Sequence, residues 1–88
     1  MLVWNNSTVE ARGSYITFRA AGFSESGKTR IWNVLDEGGG TLGRVVWFGR
    51  WRKYAFQPVT NYLTTYEWAC LNEIAEFCHT VTANRRSL

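Results

Sequence analysis

The sequence is poor in the residues from which catalytic and metal sites are built. One histidine, His79, stands among 88 residues, with two cysteines, Cys70 and Cys78, and a single proline, Pro58. If the cysteines share a helix, their eight-residue separation corresponds to about 12 Å of rise. A disulfide needs Cα atoms within roughly 7 Å, so the two cannot pair with each other there. With His79 they offer too few ligands, too closely stacked, for a metal set. Two buried thiols in a reducing compartment are expected. Long apolar runs are also missing: no stretch approaches the roughly 18–20 residues of a membrane span. The opening Met1-Leu2-Val3-Trp4-Asn5-Asn6 carries no basic leader. A soluble intracellular domain with no membrane contact and no cofactor is the expectation.

Aromatic residues, in contrast, are abundant. Five Trp, five Phe and four Tyr occur, and each such ring can bury roughly 150–250 Å². That many rings can hold together a chain long enough for only one core. The formal charge of +3 and pI near 9.2 permit an acidic partner without demanding one.

Residues 1–13 mix Asn, Ser, Glu and Gly after a short apolar start, and they read as a flexible arm, with Leu2, Val3 and Trp4 available to pin it to the body. Residues 14–83 read as one ββββα domain and 84–88 as a basic tail. Strands are expected at about 15–20, 29–35, 42–48 and 51–57. Ser24-Glu25-Ser26-Gly27 and the run Gly38-Gly39-Gly40 mark turns. Gly49-Arg50 suits a two-residue hairpin, and Pro58 ends the last strand. Thr64 and Glu67 have capping-box spacing ahead of a helix expected over about 65–82. Its wheel gathers Trp68, Leu71, Ile74, Ala75, Phe77, Cys78 and Val81 on one broad half, leaving Asn72, Glu73, Glu76 and His79 on the other. The fold class is α+β: a four-stranded antiparallel meander with one C-terminal helix packed on one face. Trp47, Tyr54, Phe56, Trp68, Leu71, Ile74 and Cys78 are expected to be buried together.

With the hairpin at Gly49-Arg50, Phe48 would oppose Trp51, Val46 would oppose Lys53, and Arg44 would oppose Ala55. Alternation then puts these six on one face and Val45, Trp47, Arg52, Tyr54 and Phe56 on the other. The second set is the more apolar and should meet the helix. The first leaves rings and cations uncovered, the pairing that single-strand binders use to stack bases and track phosphates. The candidate binding residues are Arg44, Phe48, Arg50, Trp51 and Lys53. The same rings could instead pack under the arm, in a dimer interface, or against a protein partner, because an apolar patch does not name its ligand.

Gly22-Phe23-Ser24-Glu25-Ser26-Gly27-Lys28-Thr29 matches the P-loop pattern G-x-x-x-x-G-K-[ST] in full. A P-loop opens a helix on a covered parallel sheet. Ile31, Trp32 and Val34 favour a strand instead, and no acidic strand end suitable for magnesium follows. Gly27 reads more simply as a turn glycine. No nucleophile lies beside His79, and Ser24 and Ser26 have no neighbouring base. The chain is not expected to be an enzyme.

The stretch from Leu42 to Pro58, LGRVVWFGRWRKYAFQP, followed by Cys70 to Phe77, CLNEIAEF, resembles small uncharacterised proteins of phages and prophages. The resemblance implies a mobile-element origin, the cytoplasm of a bacterial host, and a role as an accessory DNA-binding protein or as an inhibitor of host defence of the anti-CRISPR type. Strands followed by Leu63 to Trp68, LTTYEW, are similar to the ββββα fold of transcriptional-coactivator-type single-strand binders. That likeness implies dimerisation through helices and nucleic acid on the sheet. The leading expectation is a non-enzymatic protein that engages nucleic acid, preferably single-stranded, through its sheet face. The alternative is an inhibitor docking a bacterial defence protein through the same patch. A homodimer is expected in either case, since the helix's apolar half and the outward rings are both adhesive.

Overall fold

The computed structural model describes residues 1–59 and 65–86. Six strands precede one helix: β1 (Val3–Asn5), β2 (Glu10–Arg12), β3 (Thr17–Phe23), β4 (Arg30–Leu35), β5 (Thr41–Phe48), β6 (Lys53–Pro58) and α1 (Trp68–Arg86). The strands lie side by side in chain order, each antiparallel to the next. The α+β class and the C-terminal helix on an antiparallel sheet therefore hold, but the sheet has six strands rather than four. Residues 1–13, read from sequence as a loose arm, supply the two extra ones. Trp4 sits opposite Ala11, and Ala11 opposite Phe18, so one inward position is carried from β1 to β3. Short strands in Asn- and Ser-rich segments escape a pattern search because two or three residues do not establish a period.

The inward row gathers Leu2, Ala11, Phe18, Trp32, Val34, Val45 and Tyr54, all buried. Against it the helix places Ile74, Phe77 and Val81. Phe77 is the hub. Its ring lies nearly parallel to Phe18 at 4.1 Å and to Trp4 at 5.1 Å, and Trp32 meets it edge-on at 5.1 Å. Offset stacks and edge contacts are the arrangements ring quadrupoles favour.

The helix is turned from its expected phase. Trp68 and Leu71, expected in the core, are 74% and 50% exposed. Glu73, expected in solvent, is buried on the inner side with Ile74 and Phe77. A wheel with seven apolar positions over half its circumference leaves the phase open. The aromatic cup formed by Trp4, Phe18 and Trp32 selects the side centred on Phe77. Trp47, Phe56 and Cys78 are half-buried against the core, while Tyr54 and Ile74 are buried as expected. Glu73 survives burial because one carboxylate oxygen accepts the Ser14 amide at 2.8 Å and faces the N-terminal ammonium at 3.7 Å.

The helix starts three residues later than expected and ends four later. Glu67 caps it: its side chain accepts the Cys70 amide at 2.9 Å, and its carbonyl accepts the Leu71 amide. Thr64, the expected capping partner, lies outside the described residues. Part of the expected basic tail, 84–86, is helix. Thr82 ties this end to the edge strand β6, its hydroxyl donating to the Cys78 carbonyl and accepting the Tyr54 amide at 2.9 Å. An edge strand's free donor is thereby satisfied inside the molecule.

Candidate nucleic-acid interface

Side chains that alternate away from the inward row form the second face of the sheet. Across four strands Arg19 opposes Asn33, Asn33 opposes Arg44, and Arg44 opposes Gln57. Neighbouring strands are about 4.8 Å apart, so this polar row spans roughly 14 Å. Parallel to it, Val3 opposes Arg12, Arg12 opposes Thr17, and Thr17 opposes Leu35. Between the polar row and the β5–β6 turn, Val46 and Ala55 oppose each other, half-buried like Ile31. The helix lies on the other side. Among the described strand residues that point outward, Arg12, Arg19, Arg44 and Lys53 face a single carboxylate, Glu10. That carboxylate is engaged, accepting the Ala20 amide at 2.8 Å and the Thr8 hydroxyl at 3.0 Å.

The β5–β6 turn corrects the expected register. Phe48 opposes Lys53, not Trp51, and Val46 opposes Ala55, not Lys53. The loop is four residues long, from Gly49 to Arg52. The Trp51 amide donates to the Phe48 carbonyl and the Arg52 amide to Gly49. Arg52 closes it at φ 54, a left-handed conformation that an L-residue adopts at some cost. Loops of four residues are a common hairpin solution. The shift is two residues, which preserves side-chain parity. Arg44, Val46, Phe48, Lys53 and Ala55 therefore remain outward, while Trp51 and Arg52 leave the strands altogether and sit exposed in the turn.

The five candidate residues thus divide. Phe48, Arg50, Trp51 and Lys53 cluster at the β5–β6 turn, where the Phe48 and Trp51 rings meet at 4.4 Å with a 57° tilt. Trp51 is 62% exposed. Arg44 lies four residues down β5, about 13 Å away along the strand, within the polar row. Arg19 was missed because its strand was read separately from the hairpin, and Arg12 because residues 1–13 were read as an arm instead of strands. Pairing β3 with β4 on paper would have found Arg19.

The P-loop-like segment is a hairpin turn between β3 and β4. The Ser24 amide donates to the Thr29 carbonyl, the Gly27 amide to the Ser24 carbonyl, and the Lys28 amide to the Ser26 hydroxyl. Its amides serve the turn instead of radiating toward a phosphate. Gly27 adopts φ 75 with open space around it, as a turn glycine should. A bulge between Ala20 and Phe23, with Gly22 at φ 100, pairs Phe23 with Arg30 and brings its ring, still exposed, to the helix side of the sheet beside this turn. There the Arg30 guanidinium lies over the Phe23 ring at 5.1 Å.

Cys70 and Cys78 are both free and half-buried. Burial pushes the Cys78 thiol up from an ordinary 9.0 to about 11. Cys70 is raised by burial first and then by Glu67 and Glu73. His79 is exposed on the outer side of the helix. Among the described residues no group of three His, Cys, Asp or Glu could hold a metal ion, and no helix is long and apolar enough to cross a membrane. No family model matches the chain, and neither curated proteins nor solved structures give a match.

Proposed function

We propose that this protein binds single-stranded nucleic acid on the outer face of its sheet. The observation that carries the reading is the uncovered transverse row Arg19, Asn33, Arg44 and Gln57, flanked at one corner by the Phe48–Trp51 ring pair and Lys53. Guanidinium groups neutralise phosphates, side-chain amides reach base edges, and paired rings offer a stacking platform that tolerates any base. The protein acts by binding, without catalysis, as an accessory protein of a phage or prophage in the bacterial cytoplasm.

Retention of labelled oligonucleotides across a salt series tests this. If Arg12, Arg19, Arg44 and Lys53 each neutralise one phosphate, log affinity should fall against log salt with a slope of about −3, since each contact on a single strand contributes about −0.7. A wild-type protein that retains neither single- nor double-stranded oligonucleotide at low salt removes nucleic acid from consideration.

A second reading rests on the helix. Trp68 and Leu71 stand exposed one turn apart on its outer side, and a stripe of that kind suits a protein partner. A second copy of the chain is the partner we propose. Light scattering at tens of micromolar should give twice the monomer mass, and Trp68→Ser should return it to the monomer.

A further inference from the structure

On the opposite side of the sheet from the polar row, at the end where the β3–β4 turn approaches the C-terminal part of the helix, a cleft of about 310 Å³ opens. That volume sits at the lower edge of the range of small-molecule sites. Its apolar walls are Phe23, Trp32 and Tyr54, and three cations, Lys28, Arg30 and Arg85, converge on it with no carboxylate in the lining. The two guanidinium heads are held in place. Arg85 donates to the Lys28 carbonyl at 3.1 Å and lies over the Trp47 ring at 4.6 Å. Arg30 is held over Phe23, and its amide donates to the Tyr54 hydroxyl. Buried Trp32 is fixed beneath them by its indole N–H, which donates to the Val9 carbonyl at 2.8 Å. The two arginines therefore have little rotamer freedom left to lose on meeting an anion, which is the advantage of preorganisation, and Lys28 completes the set from the exposed turn.

The geometry points to a mononucleotide site: we infer that this cleft takes a nucleoside monophosphate, its phosphate between Lys28 and Arg85 and its ring against Phe23. Cations converging without a counter-charge repel one another, and a phosphate relieves that. A guanidinium beside an ammonium can grip it with charge-assisted hydrogen bonds. The exposed face of an aromatic wall accepts a nucleobase. The site is separate from the outer sheet face and does not depend on it. The nucleotide could arrive free or as the phosphorylated 5′ end of a strand, since both present the same group.

Proton–nitrogen NMR of the full chain at low salt, titrated with adenosine monophosphate, tests the inference. The Trp32 indole resonance and the Lys28 and Arg30 amides should shift together. Adenosine should bind at least tenfold more weakly. Lys28→Ala and Arg85→Ala should each weaken the nucleotide by about fivefold or more, as charge-assisted contacts do, and Lys53→Ala should leave it unchanged. Lys28 lies in an exposed turn, so its variant keeps the test open if Arg85→Ala misfolds. A Trp32 resonance that stays still at millimolar nucleotide overturns the site, as does equal binding of adenosine. A 5′-phosphorylated dinucleotide tighter than the mononucleotide identifies a strand end as the source, and equal or weaker binding identifies the free nucleotide. Oligonucleotides retained without any Trp32 response defeat this site and leave the outer face standing. A Trp32 response to the mononucleotide without oligonucleotide retention does the reverse.

Discussion

At the end of the sheet where β4 turns into β5, two carboxylates, Asp36 and Glu67, are bonded into the fold. Asp36 accepts the Gly40 amide at 2.8 Å to close its turn, and Glu67 caps the helix through the Cys70 amide. At the opposite end, where the β3–β4 and β5–β6 turns meet the helix C-terminus, the cations Lys28, Arg30, Arg50, Arg52, Lys53 and Arg85 outnumber the one carboxylate of those turns, exposed Glu25. None of Lys28, Arg30, Lys53 and Arg85 pairs with a carboxylate among the described residues. The helix dipole favours this polarity, with anions at its start and cations at its finish, but accounts for only the few side chains in its terminal turns. The contrast teaches that a modest net charge can hide a strong local one. Asp36 and Glu67 act within the structure, and Glu25 stands against six basic residues, so the field left to an incoming ligand at this end is mainly that of the cations.

That comparison holds only if one rigid core joins the two ends. Phe77→Ala removes the ring that Trp4, Phe18 and Trp32 all contact and should cost about 3–5 kcal/mol, read by urea unfolding. A loss under 1 kcal/mol would mean the ends are not held as described. Next in size is Trp51→Ala, expected to weaken oligonucleotide binding by roughly 1–3 kcal/mol without lowering the unfolding midpoint, because Trp51 is exposed. A drop in stability with unchanged binding would instead make the turn rings structural.

The Cys78 thiol gives a pH test of the helix contact. Its folded pKa is raised from 9.0 to about 11, so the burial carries no penalty below pH 9, where both folded and unfolded chains keep the proton. Between pH 9 and 11 the unfolded chain ionises first and stability should fall, by about 1–2 kcal/mol after allowing for partial exposure. Cys78→Ala should flatten that part of the curve. Glu67→Ala should cost about 1 kcal/mol of stability as a lost cap and leave oligonucleotide affinity unchanged; a tighter complex would show that the acidic end repels the ligand. The smallest effect sharpens the basic end alone: Lys53→Ala should reduce the salt slope by about 0.7, whereas Trp51→Ala should not change it.

Local chemistry was sufficient for much of this architecture. Alternation in Thr41–Phe48 and Lys53–Pro58, the turn glycines and Pro58 marked the central hairpin and its end. The split between Arg44, Phe48 and Lys53 outward and Trp47, Tyr54 and Phe56 inward was legible too. It survived a wrong loop length because side-chain direction depends only on whether a shift is odd or even. The β-rich run after Lys28 was enough to set the P-loop pattern aside.

Tertiary structure decided the rest, wherever a choice depended on a partner distant in sequence. Val3–Asn5 and Glu10–Arg12 become strands only because β3 offers them an edge, with Trp4 and Ala11 meeting the core. The helix turns Trp68 outward and Glu73 inward because Phe77 fits the aromatic cup and Ser14 supplies the buried carboxylate with a donor. The cleft draws Lys28, Arg30 and Arg85 from a turn, a strand and a helix end. Periodicity is a property of neighbours along the chain, so the sequence alone could indicate which faces exist. Which face meets which, and where the cations gather, depends on contacts between segments distant in the chain, such as the Arg85–Lys28 bond across 57 residues and the Ser14–Glu73 bond across 59.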